Sequence, residues 1–371
     1  MNKKLISLLL SAALAVSMLT VPAFAAEGGE ADAALDETNE VVVTLGDTVT
    51  ASTVEDTDKA AADKTAADKT KTADSAPAAS TEKKQITYVA LGDSIVAGVG
   101  LADVKYAKDS TTLYSVDMSP NFKGYSPDCY VGKVATMMGL DRDHAINLGL
   151  PALTAPDLAD MVRDGQMPKM NMESGCWYKY PEFQDYIRKA DVVSVQIGSN
   201  DAFVPCIVAL GNATNWKSEA LAASVLAGDL RASGSPAAAL IQGIKDMHLT
   251  RDERNATWNL LTSEMGKICD RIYPQTTAGL ISVVQEIRKL NPDCQILLMG
   301  YTDPVPFVPC WHNYFKKLNK FEKQLAETYD LTYVAIPKAK TDLDVHPTIS
   351  GHEYIAKKIV NSIELPEDSA Q

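Results

Sequence analysis

The chain has 371 residues, of which 48 are acidic and 35 basic, so its formal net charge at pH 7 is −13. This acidic balance argues against nucleic acid as a partner and against adsorption to anionic membranes, because both carry negative charge. Five histidines leave few candidates for any reaction that needs an imidazole base.

The first 25 residues have the pattern of a secretory signal peptide. Two lysines precede an apolar stretch (5–21), and Ala23-Phe24-Ala25 supplies the small residues expected before a cleavage site. A retained membrane anchor is the alternative, but the apolar stretch is short for a spanning helix. We therefore expect a secreted, extracellular protein with no stable membrane insertion after the signal peptide is removed.

Residues 26–84 are predicted to be a disordered acidic tether. Their composition is dominated by Ala, Thr, Asp and Lys, with a short repeat at 61–70. So little apolar surface cannot offset the entropy of ordering the chain. A spacer at the cell surface is one interpretation, although neither a sorting signal nor a wall-binding repeat identifies an attachment.

The remaining segment, 85–371, alternates strand and helix patterns and is predicted to form one α/β domain. Apolar runs of strand length alternate with segments whose apolar residues recur at helical spacing, which favours a parallel sheet covered by helices. The predicted strands are 86–91, 192–197, 294–299 and 331–335, and the predicted helices are 130–140, 280–290, 313–329 and 349–360. A helical insert at about 202–277 is predicted either to form a wall or lid of the active site or to be structural padding.

Gly92-Asp93-Ser94 follows the first predicted strand. Ligands of open α/β sheets bind at the carboxyl ends of the strands, which is where this turn places Ser94. A serine hydroxyl becomes an effective nucleophile when a base accepts its proton, so the pattern calls for a histidine elsewhere in the chain. The alternative is a turn that only caps the next helix.

Gly198-Ser199-Asn200-Asp201 follows the second predicted strand and brings Asn200 to the same edge of the sheet. A side-chain amide there donates hydrogen bonds to a developing oxyanion without titrating. An ordinary polar turn is the alternative.

His346 follows the last predicted strand, with Asp342 and Asp344 upstream on the same loop. Such a histidine is a candidate general base, with its tautomer fixed by a neighbouring acceptor. The alternative is an ordinary surface histidine, and the other four histidines are predicted to be surface or core residues.

Taken together, these motifs resemble the SGNH, or GDSL-type, family of serine esterases and lipases over residues 85–365. The resemblance implies a three-layer α/β/α, flavodoxin-like fold with a helical insertion. It assigns Ser94 as the nucleophile, Asn200 as an oxyanion donor and His346 as the base, and it implies neither a metal nor an organic cofactor. The segment 147–154 resembles the block that supplies a further backbone oxyanion donor.

Two positions depart from the family pattern. Ala152 aligns with a family glycine, with Gly149 three residues earlier; an alanine with ordinary backbone dihedrals still presents its amide. Leu343 stands where the family usually has the aspartate that orients the histidine. We favour Asp344 in this role, with Asp342 or the Leu343 carbonyl as alternatives.

The expected function is that of a secreted serine ester hydrolase whose substrate is a small-molecule, lipid or carbohydrate ester. The alternative is a catalytically silent binding protein on the same scaffold, tethered at the cell surface. The sequence does not determine the oligomeric state.

All six cysteines lie in the predicted catalytic domain, and we expect up to three disulfides, as in other exported proteins. Cys206 and Cys310 each end a Phe-Val-Pro-Cys run shortly after a sheet edge, so they are predicted to pair. A zinc site is disfavoured because the sequence has no Cys-x-x-Cys motif.

Overall fold

The computed structural model describes residues 85–104, 122–173, 175–218, 220–221, 236–304, 306, 308–342 and 345–364. The predicted signal peptide (1–25) and tether (26–84) lie outside the described residues, as do Leu343 and Asp344 on the histidine loop. The expectations for those segments therefore remain predictions.

Five parallel strands form the central sheet in the order β2-β1-β3-β4-β5. The strands are β1 (Tyr88–Gly92), β2 (Ala145–Gly149), β3 (Val192–Gln196), β4 (Gln295–Met299) and β5 (Thr332–Val334). All residues of β1, β2 and β3 are buried, which explains why these strands are mainly apolar runs. Gly92 pairs with both Gly149 and Gln196, so the carboxyl ends of the three strands are level.

Helices cover both faces of this sheet. They are α1 (Ser94–Ala97), α2 (Tyr130–Met138), α3 (Ala155–Asp164), α4 (Phe183–Lys189), α5 (Ser199–Ala213), α6 (Pro236–Asp246), α7 (Arg251–Asn259), α8 (Met265–Leu290), α9 (Pro309–Tyr329) and α10 (Ile349–Val360). Among the helices that the structure describes, none combines the length and the apolar character needed to cross a bilayer.

Two hydrophobic clusters, one on each face, complete the three layers. Tyr88 and Ala90 of β1 pack into the cluster that contains α2 and α10, whereas Val89 and Leu91 pack into the cluster that contains α3, α5, α8 and α9. The alternation follows from the pleat, which points successive side chains to opposite faces. The predicted three-layer α/β/α fold is confirmed.

The described part of the predicted insert is largely helical. It comprises most of α5, α6, α7, a π-helical turn (Leu260–Glu264) and the first half of α8. The predicted boundary at residue 277 falls inside α8, which runs from Met265 to Leu290 with Pro274 in its interior. The insert and the predicted helix at 280–290 are therefore joined in one element.

The predicted disulfides are absent: no disulfide bond links any of the six cysteines, all of which lie in the described residues. The predicted pairing of Cys206 with Cys310 is wrong in this structure. Cys206 on α5 instead places its sulfur 3.9 Å from that of Cys269 on α8, well beyond the roughly 2.05 Å of a disulfide bond. The repeated Phe-Val-Pro-Cys sequence before Cys206 and Cys310 did not indicate that Cys269 lies beside Cys206, because the helix that carries Cys269 is distant in sequence.

Candidate active site

Ser94 is the first residue of α1 and stands at the carboxyl edge of β1. This turn requires glycine at position 92. The φ of Gly92 is 154°, which side chains disfavour, and a Cβ there would lie 2.0 Å from the Gln196 carbonyl oxygen. Asp93 caps the helix, since its Oδ1 accepts a hydrogen bond from the Ile95 amide at 2.9 Å. The turn therefore both caps a helix and presents the serine at the sheet edge.

His346 lies against Ser94, with 2.9 Å between the imidazole Nε2 and the serine Oγ. The two residues are 252 positions apart in the sequence. Although His346 comes from a loop, only 4% of its surface is exposed. The distance is that of a hydrogen bond between a nucleophile and its base.

The loop that carries His346 is closed by backbone hydrogen bonds. The Asp342 amide donates to the His346 carbonyl at 2.8 Å, and the Val345 amide donates to the Asp342 carbonyl at 2.9 Å. Val345 has a φ of 62°, a left-handed conformation that is strained for a β-branched residue. Leu343 and Asp344 lie outside the described residues.

Asn200 is the second residue of α5 and is buried at the carboxyl end of β3. One hydrogen of its side-chain amide is donated to the Leu153 carbonyl at 2.9 Å. The amide group has a second hydrogen to donate. Asn200 lines the same pocket as Ser94 and His346, so the structure brings these three predicted residues together.

The two candidates for the backbone donor are Gly149, the last residue of β2, and Ala152 in the loop that follows. The Gly149 amide donates to Asn147 Oδ1 at 2.9 Å, and the Asn147 amide group donates to the Val96 carbonyl at 2.8 Å. Asn147 thus fastens β2 to the helix that begins with Ser94. Ala152 has a φ of 63°, so its backbone is left-handed, unlike the ordinary dihedrals considered for it above. This conformation suits glycine and costs alanine about 1–2 kcal/mol.

Two buried carboxylates were not assigned a role from the sequence. Asp93 Oδ2 accepts hydrogen bonds from the Ser199 hydroxyl at 2.8 Å and from the Tyr301 hydroxyl at 3.2 Å. Asp201 Oδ2 accepts from the Ala155 amide at 2.9 Å. Burial raises the pKa of both, that of Asp201 to about 7. Their positions directly after buried strands were the signal that could have identified them.

Residues 90–354 match the GDSL-like lipase/acylhydrolase family. The chain belongs to this family. It is therefore a carboxylic ester hydrolase by family, as the motifs predicted. No curated protein matches the sequence.

Solved structures with similarity to this chain include GDSL-type enzymes at low identity. A lipase from a goat rumen metagenome is 14% identical, with a TM-score of 0.42 and coverage of 75% of this chain and 97% of that one. An extracellular lipase from Streptomyces rimosus is 14% identical, with a TM-score of 0.43 and coverage of 75% and 100%. A mutant acetyl-xylooligosaccharide esterase from Geobacillus is 17% identical, with a TM-score of 0.38 and coverage of 77% and 98%.

The pocket of this GDSL-type hydrolase opens beside Ser94 and is narrow, with a cavity volume of about 40 Å³. Its walls include Phe203 from α5 and Phe315 from α9, and also Ile336 and Ile355. Phe203 packs edge-on against Phe315, with 5.5 Å between the ring centroids. The first part of the predicted insert therefore forms a wall of the pocket.

The other four histidines lie apart from Ser94, as predicted. His144 pairs with Asp141, His312 pairs with Asp303, and His248 is exposed. His352 is completely buried, accepts a hydrogen bond from the Tyr130 amide at 3.2 Å, and has a pKa lowered to about 3 by burial. His346 is the histidine that lines the pocket.

Proposed function

We propose that this protein is a secreted serine hydrolase that cleaves a carboxylic ester through an acyl-enzyme. The hydrogen bond between His346 Nε2 and Ser94 Oγ carries the proposal. Ser94 attacks the ester carbonyl while His346 accepts the serine proton, and His346 then gives that proton to the departing alcohol. In the second half, His346 takes a proton from water as the water oxygen attacks the acyl carbon. The bond from the acyl carbon to Ser94 Oγ then breaks, His346 returns the proton to Ser94 Oγ, and the carboxylic acid leaves.

The oxyanion of each tetrahedral intermediate is held by three donors in this proposal. They are the Ser94 backbone amide, the second hydrogen of the Asn200 side chain, and the Ala152 backbone amide. The Gly149 amide is a weaker candidate, because it already donates to the Asn147 side chain within β2. Preorganised donors of this kind stabilise the charge that develops only in the transition state.

The orienting group for His346 is assigned to Asp344, with Asp342 and the Leu343 carbonyl as the alternatives. All three lie within four residues of His346 in the sequence. Secretion is supported by the signal-peptide pattern at residues 1–25. Both assignments are proposals from the sequence.

The apolar walls of the pocket favour binding of an acyl group, since buried aromatic and aliphatic surface gains most from contact with a hydrocarbon chain. We assign the acyl part of the substrate to the side lined by Phe203 and Phe315. The alcohol part then faces solvent beside His346, which allows either a lipid or a carbohydrate.

The test is hydrolysis of p-nitrophenyl esters of graded acyl length by the full chain. We expect turnover, a burst of p-nitrophenol, and a trapped acyl group on Ser94 by mass spectrometry. Ser94→Ala and His346→Ala should each lower kcat by at least about 10⁴-fold. Ser263→Ala, on the exposed side of the π-helical turn, is the matched control and should keep full activity.

Activity of Ser94→Ala within tenfold of wild type would exclude it as the nucleophile. If wild-type protein binds the esters but releases no alcohol, the binding-protein alternative is favoured instead. A chain-length optimum that moves upward in Phe203→Ala would support the acyl pocket, whereas an unchanged optimum would exclude Phe203 from it.

A further inference from the structure

The backbone amide of Ala152 differs from that of Gly149, the other candidate for the third oxyanion donor. The Gly149 amide donates to the Asn147 side chain at 2.9 Å, whereas the Ala152 amide donates to no group in the described part of the chain. Ala152 is nevertheless only 4% exposed. A buried amide without an acceptor is costly, and a site that receives an anion is one place where such an amide is kept.

Contacts on either side place this amide between the nucleophile and the Asn200 donor. The Leu150 amide donates at 2.9 Å to the carbonyl of Gly92, two residues before the nucleophile. The Leu153 carbonyl accepts from the Asn200 side chain, also at 2.9 Å. The Ala152 amide therefore lies between the strand end that carries the nucleophile and the helix that carries Asn200.

The Tyr178 hydroxyl fixes the orientation of this amide through the peptide plane. It donates to the Pro151 carbonyl at 2.8 Å. The Pro151 carbonyl and the Ala152 N–H are the two ends of one planar trans peptide, so they point in opposite directions. A hydrogen bond that holds the carbonyl on one side therefore aims the N–H on the other. The same bond polarises the peptide and makes the N–H a stronger donor.

The segment that carries Tyr178 holds a second group of the same loop. Residues 175–180 return antiparallel to residues 165–167, and the Tyr178 carbonyl accepts from the Met167 amide at 2.9 Å. The Cys176 thiol donates to the Ala152 carbonyl at 3.8 Å, which is a weaker contact. The left-handed backbone of Ala152 is strained, and such strain persists where several contacts determine the conformation. The two side chains supply these contacts on both sides of Ala152.

We propose that Tyr178 is a positioning residue for ester hydrolysis, which holds the Pro151 carbonyl so that the Ala152 amide points at the oxyanion. This inference rests on the proposed function. Tyr178 is not one of the residues that line the pocket, so it acts through the peptide and not on the ester. Without its hydroxyl the peptide plane can rotate. The transition state then loses part of one donor, while the bound ester loses little.

The test compares Tyr178→Phe with Tyr180→Phe in the full chain. Each change removes one phenol hydroxyl from the same segment, and the two rings stack with 6.2 Å between their centroids. Tyr180→Phe is the matched control, because within the described residues the Tyr180 hydroxyl makes no hydrogen bond. We expect Tyr178→Phe to lower kcat by roughly 10- to 100-fold with KM little changed, a smaller loss than removal of a whole donor. Tyr180→Phe should keep the wild-type kcat.

A boronic acid tests the oxyanion site without turnover. When Ser94 Oγ adds to the boron of propylboronic acid, the adduct is tetrahedral and one of its oxygens takes the place of the oxyanion. Its affinity for Tyr178→Phe should fall by the same factor as kcat/KM. Labelling with ¹³C-carbonyl proline and ¹⁵N alanine selects the Pro-Ala pairs at 22–23, 77–78, 151–152 and 236–237, and Ala152→Gly identifies the NMR signal of Ala152. The boronic acid should move this signal downfield in wild type and much less in Tyr178→Phe.

An Ala152 signal that does not move in wild type would refute the inference, and that measurement holds even if Tyr178→Phe does not fold. A fall in kcat with unchanged boronate affinity would also refute it, since the loss would then lie outside the oxyanion site. A loss confined to KM would do the same, as would wild-type activity in Tyr178→Phe. If wild type hydrolyses no ester but the Ala152 signal responds to the boronic acid and this response needs Tyr178, the positioning role stands and the proposed function fails.

Discussion

The two halves of the site are held in different ways. On the nucleophile side, side-chain hydrogen bonds of Asp93 and Asn147 fasten the residues around Ser94 to β2, α5 and the loop after β4. On the base side, backbone bonds close a short loop around Val345, which has a left-handed backbone. The nucleophile is thus part of a rigid framework, while the orientation of the base depends on a turn. Such a turn needs a further acceptor to fix the tautomer of the imidazole.

The strongest way to test this difference is to remove the candidate acceptor on the loop. If Asp344 orients His346, Asp344→Asn should lower kcat by up to about 10⁴-fold, because the wrong tautomer is then favoured. Asp342→Asn is the matched control two residues away, and we expect it to have a mild effect. Steady-state kinetics of both variants at several pH values would measure the two losses.

A large loss in Asp342→Asn alone would transfer the role to Asp342. If both variants and the double variant keep most of the activity, the Leu343 carbonyl braces a Ser-His dyad. In that case the orientation of the base depends on the backbone of its loop, and the contrast between the two halves becomes sharper.

The next effect tests the nucleophile side through its oxyanion donor. Asn200→Ala should lower kcat by about 10²–10³-fold and leave KM nearly unchanged, because the lost hydrogen bond forms fully only in the transition state. Asn200 also holds the Leu153 carbonyl, so the thermal midpoint should be recorded beside the kinetics. An effect on KM alone would assign Asn200 to ground-state binding.

Sequence patterns predicted the nucleophile side better than the base side. The strands before Ser94 and Asn200 are apolar runs that end at polar residues. The carboxyl ends of parallel strands lie at the same edge of the sheet, so these polar residues were expected to lie close together. The strand predictions agree with β1, β3, β4 and β5 to within two residues at each end. β2 was not identified as a strand, since Ala145–Gly149 contains an asparagine and ends in glycine.

What the sequence did not reveal was long-range pairing. Tyr301 reaches Asp93 across 208 residues, and no local pattern signals that contact. The same holds for the contact between the sulfurs of Cys206 and Cys269. The repeated Phe-Val-Pro-Cys sequence led instead to the predicted pairing of Cys206 with Cys310. The left-handed φ of Ala152 was also hidden, because alanine does not signal this conformation as glycine does.

A third prediction concerns Asp201, the buried carboxylate that supports the oxyanion loop through the Ala155 amide. Its pKa is raised from 3.8 to about 7 by burial, so the folded protein holds this proton more tightly than the unfolded chain does. The stabilisation is complete below about pH 4 and is lost as pH rises through about 7. Asp201→Asn should remove this dependence, so wild type should lose a few kcal/mol relative to the variant between those limits.

Urea midpoints of both proteins at pH 4.5 and 7.5 would measure this difference. Parallel changes in the two proteins would show that Asp201 titrates normally.

The smallest effect is expected at Ala152, where the nucleophile side contains strain like that at Val345. Ala152→Gly removes about 1–2 kcal/mol of backbone strain from the folded protein. It also increases the conformational entropy of the unfolded chain, which lowers the stability by about 0.4–1 kcal/mol. The free energy of unfolding should therefore rise by up to about 1.6 kcal/mol. Because the backbone amide is kept, kcat should change little, whereas Ala152→Val should destabilise the fold. A large fall in kcat for Ala152→Gly would mean that the strained alanine itself aims the amide at the oxyanion, so that both halves of the site would depend on a strained turn.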